Sequence, residues 1–319
     1  MNFDYIVIGA GSAGCVVANR LSASGKHSVL VLEAGGPDKA NEIHIPAAFA
    51  ALFKTEHDWA YETEPQEQMN NKKLFWPRGK MLGGSSSINA MIYQRGAPSD
   101  YDGWAEMGNE EWGWDDVLPF FKKSQHQERG ASTMHGSGGP LNISDLREIQ
   151  PLSHSFVEAA TQAGYVANPD FNDGHQEGFG TYQVTQKRGQ RNSAAVAFLK
   201  PALTRSNLTA ETHAHVTKLN IENKKCTGVN YTQNGQAKTA NANIEVILCG
   251  GSINSPQLLM LSGIGPGAHL QEMGIATEMD LPGVGENLQD HLAAMVTYHV
   301  KKGINTLACL LYTSDAADE

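Results

Sequence analysis

Residues 5–8, Tyr-Ile-Val-Ile, form a short unbroken apolar run, the pattern of a strand buried on both faces of a parallel sheet. Six residues from Gly9 to Gly14 follow at once, and residues 15–21 carry small and apolar side chains with no helix breaker. That stretch predicts a helix, which Gly25 terminates. Residues 28–32, Ser-Val-Leu-Val-Leu, predict the next buried strand, with Glu33 at its C-terminal end. Strand, glycine turn, helix and strand together make a βαβ unit of about thirty residues.

The pattern then loosens from residue 35 to residue 76, where Pro37, Pro46 and Pro65 interrupt it. A second glycine-rich region spans residues 78–95, and residues 130–140 read as a Gly/Ser-rich loop. Helices are predicted over residues 114–122, over 152–163 with Gly164 ending it, and over 193–203 with a break at Pro201. Strand-like alternation returns at residues 208–212, 215–222, 228–232 and 238–242, with Asn234-Gly235 as a hairpin signal. Residues 244–248 read as another buried strand. A helix over 256–261 should follow, with Ser255 as its N-cap and Pro256 at its first position. No repeat at solenoid spacing occurs.

Composition narrows the classes. In 319 residues, 40% hydrophobic and 18% charged content supports a sizeable core rather than bulk disorder. A formal charge of −10 argues against a nucleic-acid partner. No run approaches the ~20 apolar residues of a transmembrane helix. No secretory signal opens the chain, so the expected location is cytoplasmic, with peripheral membrane association left open. Cys15, Cys226, Cys249 and Cys309 are scattered, which suits buried reduced thiols. His213 and His215 alternate on a predicted strand without an evident third ligand, so no metal site is expected.

The candidate chemistry lies in the glycines. Gly9, Gly11 and Gly14 form GxGxxG after a strand and before a helix, with an acidic residue at the expected distance, which is the dinucleotide fingerprint. Gly9 allows the tight turn, Gly11 lets a pyrophosphate reach the backbone, and Gly14 lets helix and strand pack closely. The N–H groups around Ser12 and Ala13 face the anion at the positive end of the helix dipole. Glu33 can accept hydrogen bonds from an adenosine ribose and would repel a 2′-phosphate. The fingerprint alone does not separate NAD from FAD. A second loop, residues 78–89, offers bare glycines, hydroxyls and an amide, which suits a cofactor with a long polar chain such as FAD.

Four segments resemble the glucose–methanol–choline (GMC) oxidoreductase family: RGKMLGGSSSIN at 78–89, RNSAA at 191–195, GSINSPQLLMLSGIG at 251–265 and LPGVGENLQDH at 281–291. The likeness is nearest to the choline and primary-alcohol dehydrogenase branch. It implies an α/β fold, a doubly wound Rossmann-like FAD domain with an interleaved α+β substrate domain, incomplete here. It places the FAD-binding region at residues 1–300, with about 46–75 and 131–204 contributing to the cap and substrate domain, and the start of a truncated C-terminal domain at 301–308. It further implies oxidation of a primary alcohol to the aldehyde by hydride transfer to flavin N5, with electrons passing to a quinone, a carrier protein or oxygen.

Carried over residue by residue, the likeness assigns Gly9, Gly11, Ser12, Ala13 and Gly14 to the pyrophosphate and Glu33 to the ribose. Gly83, Gly84 and Ser85, with Asn89, Ala90, Met91 and Ile92, line the flavin and ribityl chain, and Val216 meets the adenine through its backbone. Some members link the flavin covalently to a histidine. Ile88 stands at that position, so the FAD is expected to be non-covalent. His291, beside Asp290, is expected to be structural. The family's catalytic histidine belongs to a C-terminal part that nothing here matches. The last eleven residues, 309–319, resemble the translation of a transposon-end sequencing adapter, and residues to about Ala308 are expected to be the biological part. A nucleotide-binding module without turnover is the competing reading. A pyridine-nucleotide disulfide reductase is disfavoured, because no redox cysteine pair is present.

Overall fold

The computed structural model describes residues 1–291, 299 and 301; residues 302–319, including the 309–319 stretch and Cys309, lie outside the described residues. At its centre is a six-stranded sheet. In chain order its principal elements are β1 (Asn2–Ile8), α1 (Ser12–Ser22), β2 (Val29–Leu32), β3 (Leu208–Glu211), β4 (Ala214–Glu222), β5 (Lys225–Gln233), β6 (Gln236–Leu248) and α2 (Gly251–Leu261). The spatial order is β3-β2-β1-β6-β5-β4. β3, β2, β1 and the last part of β6 run parallel, and β4, β5 and the first part of β6 form an antiparallel meander.

The period of two along the strands distributes the core. Val7, Val29 and Val31 face α1, against Cys15, Ala18, Ala195, Phe198 and Leu199. Ile6, Ile8, Leu30 and Leu32 face the other way, against Val216, Leu219, Val229, Tyr231 and Leu258. Each such side chain withdrawn from water contributes about 1.5–3 kcal/mol. The sheet is therefore covered on both sides, as parallel strands require. Among the described residues no helix is long and apolar enough to cross a membrane.

The βαβ start forms as its pattern predicts. Three later elements differ. The two strands predicted at 238–242 and 244–248 are one, β6, which changes partner midway. Residues 236–241 pair with β5, and those from Asn241 onward pair with β1. The register shift opposite Phe3 and Tyr5 takes up Asn243 and Ile244, which is why the pattern breaks there. The last part of β6 is half-buried rather than buried, with Ile244 45% exposed. α2 begins at Gly251, with Gly250 as its cap; Ser255 is no N-cap and Pro256 lies inside the helix. Pro256 is the sixth residue of the helix, so it removes the one backbone bond that an N–H there would give to the Ser252 carbonyl. Residues Ala195–Leu199 form a π-helical turn that runs on through Pro201 into Lys200–Ala202, so the proline does not end the element. The Asn234-Gly235 hairpin holds, with both residues at positive φ (51° and 76°), the type I′ turn.

Helices Pro98–Glu106, Trp114–Ser124 and Pro151–Gln162 carry the outer segments, and none has a buried residue. The intervening segments are knit by polar contacts. His135 Nε2 lies 3.0 Å from Asp170 Oδ2, and Arg95 Nη2 donates to Gln125 Oε1 at 2.6 Å. Burial alone would raise the Asp170 carboxyl, but His135, the Asn172 N–H and Arg129 together hold it below its ordinary 3.8.

Candidate cofactor site

Ile8, Leu32 and Leu248 stand side by side at the C-terminal ends of β1, β2 and β6. From β1 the chain goes out through α1 to β2, while β6 occupies the other side, so this edge is a topological switch point, where open α/β sheets leave a crevice. A cavity of about 500 Å³ opens there. Gly9, Gly11, Ser12, Ala13, Glu33, Gly84, Ser85 and Val216, each singled out by sequence, line it.

The turn after β1 is held by close backbone contacts. A Cβ on Gly14 would lie 1.9 Å from the Gly9 carbonyl oxygen, so only glycine lets α1 approach the turn this closely. Gly9 has φ +94°, and a Cβ there would lie 2.5 Å from the Cys249 carbonyl oxygen. A Cβ on Gly84 would likewise lie 2.7 Å from the Gly11 Cα, and the Gly83 N–H donates to the Ala10 carbonyl at 2.7 Å. The second glycine loop is thereby docked on the first. Gly11 is different: a Cβ there would meet nothing within 4 Å. Protein packing does not demand a glycine at that point, and the bare backbone faces open cavity.

Two helices of 11 residues point their N-termini at this space, since Ser12 and Ala13 of α1 and Gly251 and Ser252 of α2 line it. Neither helix has a side-chain cap or an acidic residue in its first turn. Unpaired N–H groups and two positive dipole ends therefore converge with no carboxylate in either first turn to compete for them, the donor set a pyrophosphate needs. On these grounds the residues present fit the phosphate and adenosine parts of a dinucleotide.

Glu33 is 5% exposed. Its Oε2 accepts from the Ala10 N–H at 2.8 Å and its Oε1 from the Gly35 N–H at 2.9 Å. Burial raises its pKa, and the two N–H groups and Lys80 oppose that rise. The carboxylate is thus built into the turn, with lone pairs remaining toward the cavity it lines.

The other sequence candidates stand apart from the cavity lining. Gly14 lies behind it as a packing residue, and Gly83 is buried. Asn89, Ala90 and Ile92 are exposed, and Met91 is buried at φ +62°. Ile88, at the linking position, is 2% exposed. His291 is exposed, its backbone N–H donating to Asp290 Oδ1 at 2.9 Å, and it does not line the cavity. Cys15, Cys226 and Cys249 are free thiols; burial pushes Cys15 up to about 12, so it does not resemble a redox nucleophile.

Sequence reasoning missed one wall. Trp59 stacks on Tyr61 with ring centroids 5.8 Å apart, and meets His215 edge-on at 5.6 Å. The Tyr61 hydroxyl donates to Asn254 Oδ1, and the Lys80 ammonium sits 4.6 Å above the Trp59 ring. Burial, then Lys80, lowers the pKa of His215. Trp59 and Tyr61 fall in the patternless stretch after residue 35, and Asn254 lies 193 residues further on, so no local signal connects them.

The family model for GMC oxidoreductases matches residues 3–293. An alcohol dehydrogenase (acceptor) from Pseudomonas putida is 52% identical over 295 residues, which cover 91% of this chain and 53% of that protein. The mitochondrial choline dehydrogenase of Homo sapiens is 48% identical over 298 residues, covering 91% and 50%. Among solved structures, pyridoxine 4-oxidase from Mesorbium loti superposes with a TM-score of 0.84 at 36% identity, covering 88% of this chain and 55% of that one. An FAD-dependent oxidoreductase from Chaetomium thermophilum superposes at 0.83 with 30% identity, covering 88% and 51%. The chain spans about half the length of the curated relatives it matches. The match of nearly every described residue, together with a phosphate-ready crevice where the glycine segments converge, places the chain in the GMC oxidoreductase family.

Proposed function

We propose that this chain is the FAD-binding half of an FAD-dependent alcohol oxidoreductase acting on choline or another primary alcohol. The observation that carries the reading is the convergence of two uncapped helix N-termini, the bare Gly11 backbone and the buried Glu33 carboxylate on one cavity. FAD, when bound, accepts the hydride that the alcohol carbon gives up. Gly11, Ser12 and Ala13 hold its pyrophosphate through backbone N–H groups, Glu33 accepts from its ribose, and Val216 with the Trp59–Tyr61 wall encloses its adenine end. Gly83, Gly84, Ser85 and the 89–92 turn receive the flavin and ribityl chain. Ile88 offers no nucleophile for a covalent link, so the cofactor is held by these contacts alone. The group that takes the hydroxyl proton comes from the portion of the longer relatives that this chain does not span, and the electrons leave for a quinone, a carrier protein or oxygen.

For the 319 residues by themselves, nucleotide binding without turnover is favoured. The turn assigned to the flavin lies open, with Ile92 51% exposed, and a positioned base contributes about 10²–10⁴-fold to such a step. The test is to recover the full parent gene and assay its product with choline and simple alcohols and an artificial electron acceptor, beside the 1–308 chain supplied with FAD. Flavin absorbance and alcohol-dependent turnover in the full product alone are expected. A full product that binds no FAD refutes the reading, and turnover by the 1–308 chain refutes the assignment of the base.

A further inference from the structure

Arg191 is among the largest fully buried side chains, at 2% exposure, and no carboxylate pairs with it among the described residues. Its Nε donates to the Ile43 carbonyl at 2.7 Å. Its Nη1 donates to the Ser86 carbonyl at 3.1 Å, the Asn89 carbonyl at 2.7 Å and Asn89 Oδ1 at 2.9 Å. Its Nη2 has no partner among the described residues. Burial lowers its pKa to about 10, so it remains a cation at neutral pH. A buried charge without a counterion costs several kcal/mol. An apolar residue would fill the volume without that penalty, so packing does not account for it. A guanidinium does what an apolar residue cannot: its rigid fork reaches acceptors on two chain segments at set angles.

What the fork holds is a strained turn. Met91 is a buried non-glycine residue at φ +62°, a conformation that costs about 1–2 kcal/mol and persists only where the surroundings over-determine it. Asn89 Oδ1, one of the atoms Arg191 grips, also accepts from the Met91 N–H at 3.0 Å. The Met91 carbonyl is taken by the Thr185 N–H at 2.8 Å, and the Ala194 N–H donates to Ser86 Oγ at 2.9 Å. Residues flanking Arg191 thus clamp both ends of the 86–91 turn, while Asn89, Ala90 and Ile92 stay exposed on its outer side.

We propose that Arg191 is a positioning residue for the flavin: its buried guanidinium, with no carboxylate partner among the described residues, holds the 86–91 turn in the shape that receives the ring before FAD arrives. The inference rests on the FAD reading above. Presetting a binding turn raises affinity by removing the ordering cost from the binding step. The cation behind the turn also favours the electron-rich reduced ring over the oxidised one.

The test uses the full-length protein, its FAD removed and restored. R191K keeps the charge but loses the fork, and R191M loses both. Each apoprotein is first checked by circular dichroism and Tm, and R191K carries the comparison should R191M not fold. R191K is expected to raise the FAD dissociation constant about tenfold or more and to alter the flavin's visible circular dichroism, with the midpoint potential held near wild type. R191M is expected to bind at least as weakly and to shift the potential negative. R191K binding FAD within about threefold of wild type, with unchanged visible circular dichroism, overturns the proposal. A wild-type protein that binds no FAD refutes the cofactor reading instead, and the two failures are distinct.

Discussion

Replacing Gly14 with alanine is the sharpest test of the crevice geometry. The new Cβ would lie 1.9 Å from the Gly9 carbonyl oxygen and 3.0 Å from the Gly9 carbonyl carbon, where ordinary contact begins at 3.4 Å. The neighbour is backbone, fixed in turn by the Gly9 N–H donating to the Leu32 carbonyl at 2.8 Å, so no side chain can swing aside. The gap between α1 and the turn must open by about 1.5 Å, the difference of those distances. Overpacking of this kind costs about 1–3 kcal/mol, and an unyielding backbone puts it at the upper end. The second consequence falls on the cofactor. Moving the start of α1 misaligns the Ser12 and Ala13 N–H groups, and a charge-assisted hydrogen bond is worth about 1.5–3 kcal/mol. Fluorescence titration of the apoprotein with FAD should therefore show affinity falling about 10–100-fold in G14A, with a lowered apoprotein Tm. FAD affinity and Tm both equal to wild type would show that α1 does not rest on the turn as described, and the phosphate site would lose its basis.

Glu33→Gln should weaken FAD binding by about 1–3 kcal/mol, because a charge-assisted bond to the ribose becomes neutral, and its amide must also face one of two backbone N–H donors; unchanged affinity in the same titration would remove Glu33 from the ribose. Acid precipitation of the full-length holoprotein should release the flavin to the supernatant, since Ile88 cannot form a covalent link, and a pellet that stays yellow would contradict this. Asp170→Asn should lower unfolding stability by about 2 kcal/mol in urea titrations, by stripping the charge from the His135 and Arg129 contacts. Because the folded Asp170 carboxyl is held below 3.8, its contribution is present above that pH and is lost as the pH falls through the folded value. The wild-type advantage over D170N should shrink there, and an advantage that grew on acidification would show the sign to be wrong.

Much of the site was legible because its requirements are local. A tight strand-to-helix turn needs glycines at fixed spacing, a buried parallel strand needs an unbroken apolar run, and the acidic residue closes the second strand. Those signals fall within residues 5–33, and Ile8, Gly9, Gly11, Ser12, Ala13, Leu32 and Glu33 line one crevice, with Gly14 packed one layer behind. The later expectations failed where the deciding partner was distant. β6 reads as two strands because its first part is patterned for β5 and its last part for β1. α2 reads as starting at Pro256 because capping rules look only at neighbours, whereas its real start is set by the Gly250-Gly251 turn at the crevice.

By itself the sequence determined the βαβ start, the dinucleotide fingerprint and the family, since each is carried by residues adjacent along the chain. Only the tertiary structure decided that Trp59, Tyr61, His215 and Asn254 form one wall. It alone placed the uncapped start of α2 beside that of α1, and turned Arg191 inward onto Ile43, Ser86 and Asn89. The physical reason is separation. Those contacts join groups that are scores of residues apart, and no propensity, period or spacing encodes which distant carbonyl a buried guanidinium will meet. The sheet order and the packing of its two faces settle that only once the chain has closed on itself.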